Sequence, residues 1–368
     1  MLIGIDASRT TARERTGTEH YALYLTRALI ELGQQHQYRL YFCDAPDEGL
    51  LPRNSRVDWR VMPFPRLWTH VRLAWELWRH PPDVLFVPAH VLPVVHPRRC
   101  VVTVHDLGYR HYPQAHTRWS RWYLEWSTRR NARVAQRVIA DSQATRADLM
   151  RYYRTPADKI VVAYPAGGEG MAPVHDPALL EAVQRRYATG ARYFLYVGTL
   201  QPRKNLPTLL RAFATCIRDG RLPADVRLVL AGKRGWMYDE IMVTIRALQL
   251  DERVVVTGYM SQDDLPALLS GALAFVLPSW YEGFGLPVLE AMACGTPVIC
   301  SNASSLPEVA GDAALLFAPD DVGALAEALE RVLREPELRE RLVAWGLERA
   351  RTFTWERCAH QVLEVLEA

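Results

Sequence analysis

The chain has few cysteines and none of them in a CxxC pair: Cys43, Cys100, Cys216, Cys294, Cys300 and Cys358 are scattered. That argues against a thiolate metal site and a disulfide framework, and they read as reduced, mostly buried, small apolar residues. No Asp-x-Asp occurs, and His105, His111 and His116 lack metal-site spacing with a supporting third ligand, so no metal is expected to be required. The segment Gly4 to Arg9 after the first apolar run contains no G-x-G-x-x-G, which disfavours an NAD-dependent dehydrogenase. No stretch of about 18 uncharged apolar residues appears. The opening MLIGIDASRT is too short an apolar run for a signal peptide and has no basic leader, so a cytoplasmic protein is expected. Low-complexity tracts are also absent, and folded structure is expected almost throughout.

What is present is an ordinary globular composition, 49% hydrophobic and 23% charged, over 368 residues. That length exceeds one comfortable core, so two domains are the default. The net charge of +3 hides an asymmetry: residues 1–180 hold 24 Lys and Arg against 17 Asp and Glu, and the remainder holds 20 against 24. The basic half suits an anionic surface or a phosphorylated acceptor; an unevenly charged solvated surface is the plainer alternative.

Short β-rich apolar runs alternate with amphipathic stretches: Leu2–Ala7, a helical pattern over Thr18–Leu32, then Arg39–Cys43, Val84–Val87, Val101–Val104, Val138–Ala140 and Ile160–Ala163. Such alternation predicts βα units and mainly parallel sheet. After Tyr164 the run PAGGEGMAPVHDP breaks any regular element and reads as an inter-domain linker. A second series follows at Tyr193–Val197, Arg227–Ala231, Val254–Thr257, Ala274–Leu277 and Pro297–Cys300. In open parallel sheets ligands bind beyond the carboxyl ends of the strands, so motifs there carry most weight.

The strongest motif is Glu282-Gly283-Phe284-Gly285-Leu286-Pro-Val-Leu-Glu290, just after the run Ala274–Leu277. Gly283 and Gly285 allow a sharp turn and close backbone approach. Pro287 suits a first helical position and Gly295 the residue past the end, so a helix is predicted over about Pro287–Cys294. Its free amides near Gly285 and Leu286 form an anion site suited to a diphosphate. Glu282 and Glu290 can accept hydrogen bonds from sugar or ribose hydroxyls, although an acid early in a helix also merely complements the dipole. A second cluster, Gly198-Thr199-Leu-Gln-Pro-Arg203-Lys204-Asn205, follows Tyr193–Val197; its two cations could neutralise the phosphates of a nucleoside diphosphate.

Together these motifs resemble a retaining glycosyltransferase of the GT-B fold, family GT4 (glycosyltransferase group 1). Glu282 and Glu290 match its E-x7-E pattern in the form EGFGLPVLEAMACGTPVI, Gly198 to Asn205 its phosphate-binding turn, and Ser304-Ser-Leu-Pro-Glu-Val-Ala-Gly311 a segment that commonly follows. Phe353-Thr-Trp355-Glu resembles the start of the helix that crosses back to the N-terminal domain. The resemblance implies an α/β GT-B architecture, two Rossmann-like domains facing each other across a deep cleft. Residues 1–168, joined by about 353–368, would bind the acceptor, and 177–352 the nucleotide-sugar donor. It further implies that Glu290 binds the ribose hydroxyls and Glu282 the donor sugar, that Phe284 and Gly285 offer amides, and that Arg203 and Lys204 hold the diphosphate. Backbone groups at Gly258 and Tyr259 would meet the base, with a simple turn as the alternative.

In the N-terminal half the match is looser. Arg15-Thr-Gly17 resembles the family's glycine loop, whose amide approaches the donor phosphates. His105 and Asp106 stand beyond Val101–Val104, where the family commonly has a histidine that contacts the transferred sugar. A plain loop and a structural histidine are the alternatives. The run His111 to His116 reads as a surface loop, or else as acceptor-binding.

The expected reaction moves a hexose to a hydroxyl of a glycan or lipid-linked saccharide. Retention is implied by the family; with no separate covalent nucleophile in view, a same-face reaction is preferred. GDP-mannose is the favoured donor because the motif arrangement looks most like bacterial mannosyltransferases; a UDP-sugar is the runner-up. No tightly bound cofactor and no nucleic-acid partner are expected. The C-terminal half has few lysines, chiefly Lys204 and Lys233, which disfavours a pyridoxal-phosphate phosphorylase; a non-catalytic GT-B binding protein is the rival outside enzymes. Finally, Arg118-Trp-Ser-Arg-Trp122-Tyr-Leu-Glu-Trp126-Ser-Thr-Arg129-Arg130 sets tryptophans at helical spacing among arginines. That suits an amphipathic helix on the inner face of the plasma membrane, or a core-packed helix with basic outer residues.

Overall fold

The structure is a computed structural model and describes residues 1–12, 15–89, 91–115 and 117–368. His116 therefore lies outside the described residues. The chain forms two compact units: an N-terminal unit of Met1–Ala166 with Phe353–Ala368, and a C-terminal unit of Gly167–Thr352.

The N-terminal unit holds a seven-stranded sheet of β1 (Leu2–Asp6), β2 (Gln37–Phe42), β3 (Val57–Val61), β4 (Val84–Val87), β5 (Cys100–Val104), β6 (Arg137–Ala140) and β7 (Ile160–Val162). Its order is β3-β2-β1-β4-β5-β6-β7, and every pairing is parallel. Both faces are covered, which is why β4 and β5 are buried at every position. The closing helix Trp355–Glu367 lays Cys358, Ala359, Val362, Leu363 and Leu366 into the same core as Leu25, Leu29 and Ile30 of the helix Gly17–Leu32.

The C-terminal unit repeats the plan with β8 (Arg192–Val197), β9 (Val226–Ala231), β10 (Val254–Gly258), β11 (Ala274–Leu277), β12 (Val298–Ser301) and β13 (Ala314–Phe317) in the order β10-β9-β8-β11-β12-β13, again parallel throughout. Both sheets thus reverse direction beside their first strand, the doubly wound Rossmann-like order. The edge strands β3 and β13 have no counterpart in the sequence reading. They are partly exposed, and VDWRV and ALLF carry too few buried positions to stand out as apolar runs.

Two further differences have local causes. His111 ends a helical turn, Gly108–His111, which starts where the Gly108 amide donates to Asp106 Oδ1 at 2.8 Å, and Pro113–Ala115 is a 3-10 turn; this segment is not a plain surface loop. His111 Nε2 itself meets Asp148 Oδ2 at 2.7 Å. Of the two glycines in the glutamate motif, only Gly285 has positive φ, +111°. It caps the helix Leu286–Ala293, which starts one residue earlier than the proline suggests.

Candidate active site

In the C-terminal sheet β8 and β11 are neighbours although two strands separate them in sequence. The loops leaving their carboxyl ends carry the two motifs, so the reversal of strand order brings Gly198–Asn205 beside Pro278–Gly285. Trp280 N–H donates to the Arg203 carbonyl at 3.0 Å, which ties the two loops by their backbones.

The side chains complete the junction. Lys204 Nζ donates to Glu282 Oε1 at 2.6 Å, Arg203 Nη1 to Glu282 Oε2 at 3.1 Å and to the Tyr281 carbonyl at 2.6 Å, and Ser279 Oγ to Glu282 Oε1 at 2.5 Å. Glu282 and Lys204 are buried, 6% and 8% exposed. Burial alone would raise the Glu282 pKa; the Lys204 and Arg203 charges outweigh it and hold the carboxyl below its ordinary range. The buried loop that presents Glu282 has its backbone satisfied by serines of the following segment. Ser304 Oγ accepts from the Glu282 amide at 2.7 Å, Ser305 Oγ lies 3.0 and 2.7 Å from the Glu282 and Phe284 carbonyls, and Ser301 Oγ donates to the Ser279 carbonyl at 2.5 Å. The sequence shows Ser304–Gly311 only as a recurring segment; its work as a scaffold needs the fold.

Glu290 sits in a different environment. It points from the helix Leu286–Ala293 against the linker, and among the described residues it has no cationic partner. Burial drives its pKa up to about 7, opposed only by a hydrogen bond from the Gly168 amide. A methyl group placed on Gly168 would stand 3.5 Å from Glu290 Oε1 and 3.4 Å from Gln262 Nε2. That Gln262 nitrogen is buried and has no hydrogen-bond partner among the described residues. Among the described residues, an acceptor without a cation and a donor without a partner therefore flank Gly168. Sequence reading missed Gln262 because nothing about a single glutamine in the loop after β10 marks it.

The remaining loops of this strand-end surface are bonded to one another. Gly198 donates to the Ala231 carbonyl, Leu200 to Lys233, and Gly232 to Gly258, each at 2.9 Å. A Cβ on Gly232 would fall 2.0 Å from the Gly198 carbonyl oxygen, so only glycine permits this approach. The Thr199 carbonyl accepts from Tyr196 Oη at 3.1 Å. Beyond β10, Tyr259 is 47% exposed, and Lys233 Nζ lies 4.9 Å above its ring.

In the N-terminal unit, His105 follows β5 and is buried. Its Nδ1 is 2.6 Å from Asp141 Oδ2 and its Nε2 2.9 Å from the Pro88 carbonyl. Two acceptors favour a ring that donates from both nitrogens. Burial opposes the imidazolium, but the Asp141 carboxylate and the Pro88 carbonyl outweigh it and raise the pKa. Any contact of this ring with a sugar hydroxyl would have to displace one of those bonds. Asp106 holds the next turn, and Gly17 opens its helix behind a capping box of Thr16 and Glu19. Among the described residues no group of three or more His, Cys, Asp or Glu is placed to hold a metal ion.

Residues 15–166 match the family described as Glycosyltransferase Family 4, and residues 181–349 the one described as Glycosyl transferases group 1. The O-antigen chain mannosyltransferase B of Escherichia coli is 36% identical over 368 residues, covering 95% of each chain. The chain belongs to the family 4 glycosyltransferases. The serotype-specific mannosyltransferase WbdA of Escherichia coli is 30% identical to the glycosyltransferase over 237 residues, 62% of this chain and 28% of that one. Among solved structures, a sucrose-phosphate synthase from Thermosynechococcus elongatus superposes with a TM-score of 0.77 at 23% identity, over 100% of this chain and 98% of that one. Anabaena HepE in complex with UDP-glucose gives 0.77 at 18% identity, over 100% and 99%. The architecture of the glycosyltransferase is therefore GT-B, two Rossmann-like units each built on a parallel sheet.

Proposed function

We propose that this glycosyltransferase moves mannose from GDP-mannose to a hydroxyl of a glycan or lipid-linked saccharide with retention at the anomeric carbon, the donor resting on its C-terminal unit. The observation that carries the donor site is the joining of Arg203, Lys204 and Glu282 at the reversal of the β8–β11 sheet, beside a helix N-terminus and a buried Glu290 without a cation. Arg203 and Lys204 take the diphosphate, and the amides at Phe284, Gly285 and Leu286 add donors. Glu282, buttressed by Ser279 and the loop serines, faces the sugar hydroxyls. Glu290 and Gln262 take the ribose hydroxyls, one as acceptor and the other as donor, and Gly258 and Tyr259 border the base. The mannosyltransferase names of the relatives support the sugar. A UDP-sugar is the second reading, favoured by the UDP-glucose complex of the HepE neighbour.

As the bond from the anomeric carbon to the phosphate oxygen breaks, negative charge grows on the diphosphate, and the two cations stabilise that state more than the ground state. The acceptor oxygen bonds the anomeric carbon on the same face, and its proton passes to the departing phosphate oxygen. Titration calorimetry with GDP, UDP and ADP, on the wild type and on Arg203→Ala and Glu290→Ala, tests the reading. Selective GDP binding weakened in both variants supports it; UDP selectivity shifts it to the second reading. The absence of any nucleotide binding, or an inverted product anomer, refutes the donor site or the mechanism respectively.

A further inference from the structure

Large apolar side chains lie on the outside of two helical segments of the N-terminal unit. The stretch formed by the π-turn Thr69–Leu73 and the helix Ala74–Arg79 buries Leu73, Ala74 and Leu77. Its opposite side exposes Val71, Trp75 and Trp78 at 46%, 49% and 69%, in line with Leu67 at 71% in the turn before. Steps of four, four and three residues make this one stripe. The helix Arg118–Val134 buries the small Ser127, Thr128, Asn131 and Ala132 and leaves Trp119, Trp122, Tyr123 and Trp126 at 81%, 61%, 38% and 36% exposure, again one helical face. Aromatic residues outward and small residues inward is the reverse of a helix held by its amphipathic core face, so the core-packed reading of these tryptophans fails.

The two stripes are joined. His70 Nε2 is 2.9 Å from Tyr123 Oη, and its ring is 5.9 Å from that of Trp126. Arg130 binds the carbonyls of Leu92, Pro93 and Val94 at 3.0, 3.0 and 3.1 Å, which straps the exposed Val94 and Val95 to the same helix. A patch of this kind on a folded unit marks a docking surface.

Its charge identifies the occupant. Residues 59–134 contain 12 arginines and only four acids, Glu76, Asp83, Asp106 and Glu125. Glu76 is ion-paired with Arg72, and Glu125 with Arg110 and Arg129. Arg72 and Arg79 also lie 5.0 and 5.8 Å from the Trp75 ring, the pairing of a cation with an interfacial aromatic. A second copy on this face would set one arginine-rich surface against another. Tryptophan seated at headgroup depth and arginine on lipid phosphate is what an anionic bilayer surface favours.

We propose that this face docks the N-terminal unit peripherally on an anionic phospholipid surface, with Trp75, Trp78, Trp119 and Trp122 in the headgroup layer and Arg118 and Arg121 against the phosphates. No helix among the described residues is long and apolar enough to cross a membrane, in keeping with a contact that lies on the bilayer. The test is flotation of the full chain with vesicles of phosphatidylcholine alone and of phosphatidylcholine with phosphatidylglycerol. Expected are binding to the anionic vesicles only, weakening with salt, and a loss on the order of tenfold or more for both Trp119→Ser/Trp122→Ser and Arg118→Gln/Arg121→Gln. These side chains are exposed, so melting temperature and calorimetric nucleotide affinity, which do not involve this face, should stay at wild-type values. No binding, equal binding to neutral vesicles, or binding indifferent to both double variants would overturn the proposal. So would concentration-dependent self-association that the tryptophan variant abolishes.

Discussion

Replacing Glu290 by glutamine separates what this carboxyl does for binding from what it does to the fold. Its pKa is about 7 when folded, against 4.5 for an ordinary glutamate, because burial disfavours the charge and no cation among the described residues answers it. The folded carboxyl keeps its proton to higher pH than the unfolded one, so folding takes up a proton between those values and stability falls as pH rises through the window. At about 1.4 kcal/mol per pKa unit, the carboxylate costs the fold about 3 kcal/mol above pH 7 and under about 1 kcal/mol near pH 5. Glutamine keeps the shape and can still accept from the Gly168 amide, but carries no charge. Glu290→Gln should therefore melt roughly 6–12 °C above the wild type in alkaline buffer, a gap that closes toward pH 5. In alkaline buffer it should also bind nucleotide on the order of tenfold more weakly, having lost a charge-assisted acceptor, and this difference should narrow toward pH 5, where the wild-type carboxyl is protonated. Scanning calorimetry from pH 5 to alkaline pH, with and without GDP, reads both effects. A Glu290→Gln protein that is less stable than wild type at alkaline pH, or whose melting difference ignores pH, would refute the assignment of a buried carboxylate lacking a counter-ion.

Lys204→Met leaves Glu282 with Arg203 as its one cationic partner among the described residues and should destabilise the C-terminal unit by about 3 kcal/mol at neutral pH in urea unfolding. Because the wild-type Glu282 pKa is depressed, its contribution is present above pH 4.5 and lost on acidification, so the difference between the two proteins should shrink in acid; a constant difference counts against the ion pair. Gly285→Ala sets a side chain at φ +111° with its Cβ 2.7 Å from Leu306 Cδ2, and a loss of about 1–3 kcal/mol with weaker nucleotide binding is expected from melting and calorimetry. The raised pKa of His105 means that its stabilisation is complete below pH 6.5 and is lost as pH climbs through the folded value. Asp141→Asn should flatten that part of the stability profile, and proton NMR of the His105 ring should show its titration moving down.

Much of the fold is legible in the sequence because buried parallel strands are short continuous apolar runs. Val84–Val87 and Ala274–Leu277 coincide with β4 and β11 at both ends. The reading found the edge strands β7 and β10 but failed at the other two edges, where β3 and β13 are half-exposed and their pattern dissolves into the surface. At the site, residue types and their places after strands were visible for Arg203, Lys204, Glu282 and Glu290. Their partners were not: Ser304 and Ser305 lie more than twenty residues from the backbone groups they hold, and Asp141 lies 36 residues from His105.

By itself the sequence determined the alternation of strand and helix, the linker after Tyr164, the glycine-permitted turns and the positions of the charged groups, all of which follow from local periodicity and backbone chemistry. Only the tertiary structure decided that β8 lies beside β11, since strand order depends on which crossover packs back onto the sheet. That adjacency turned two loops 78 residues apart into one ion-paired cluster. Tertiary burial also decided the protonation of two glutamates of the same motif. Glu282 meets two cations and is held ionised, whereas Glu290 meets none among the described residues and is poised near neutrality, because a pKa depends on the solvent and charges that folding removes or supplies.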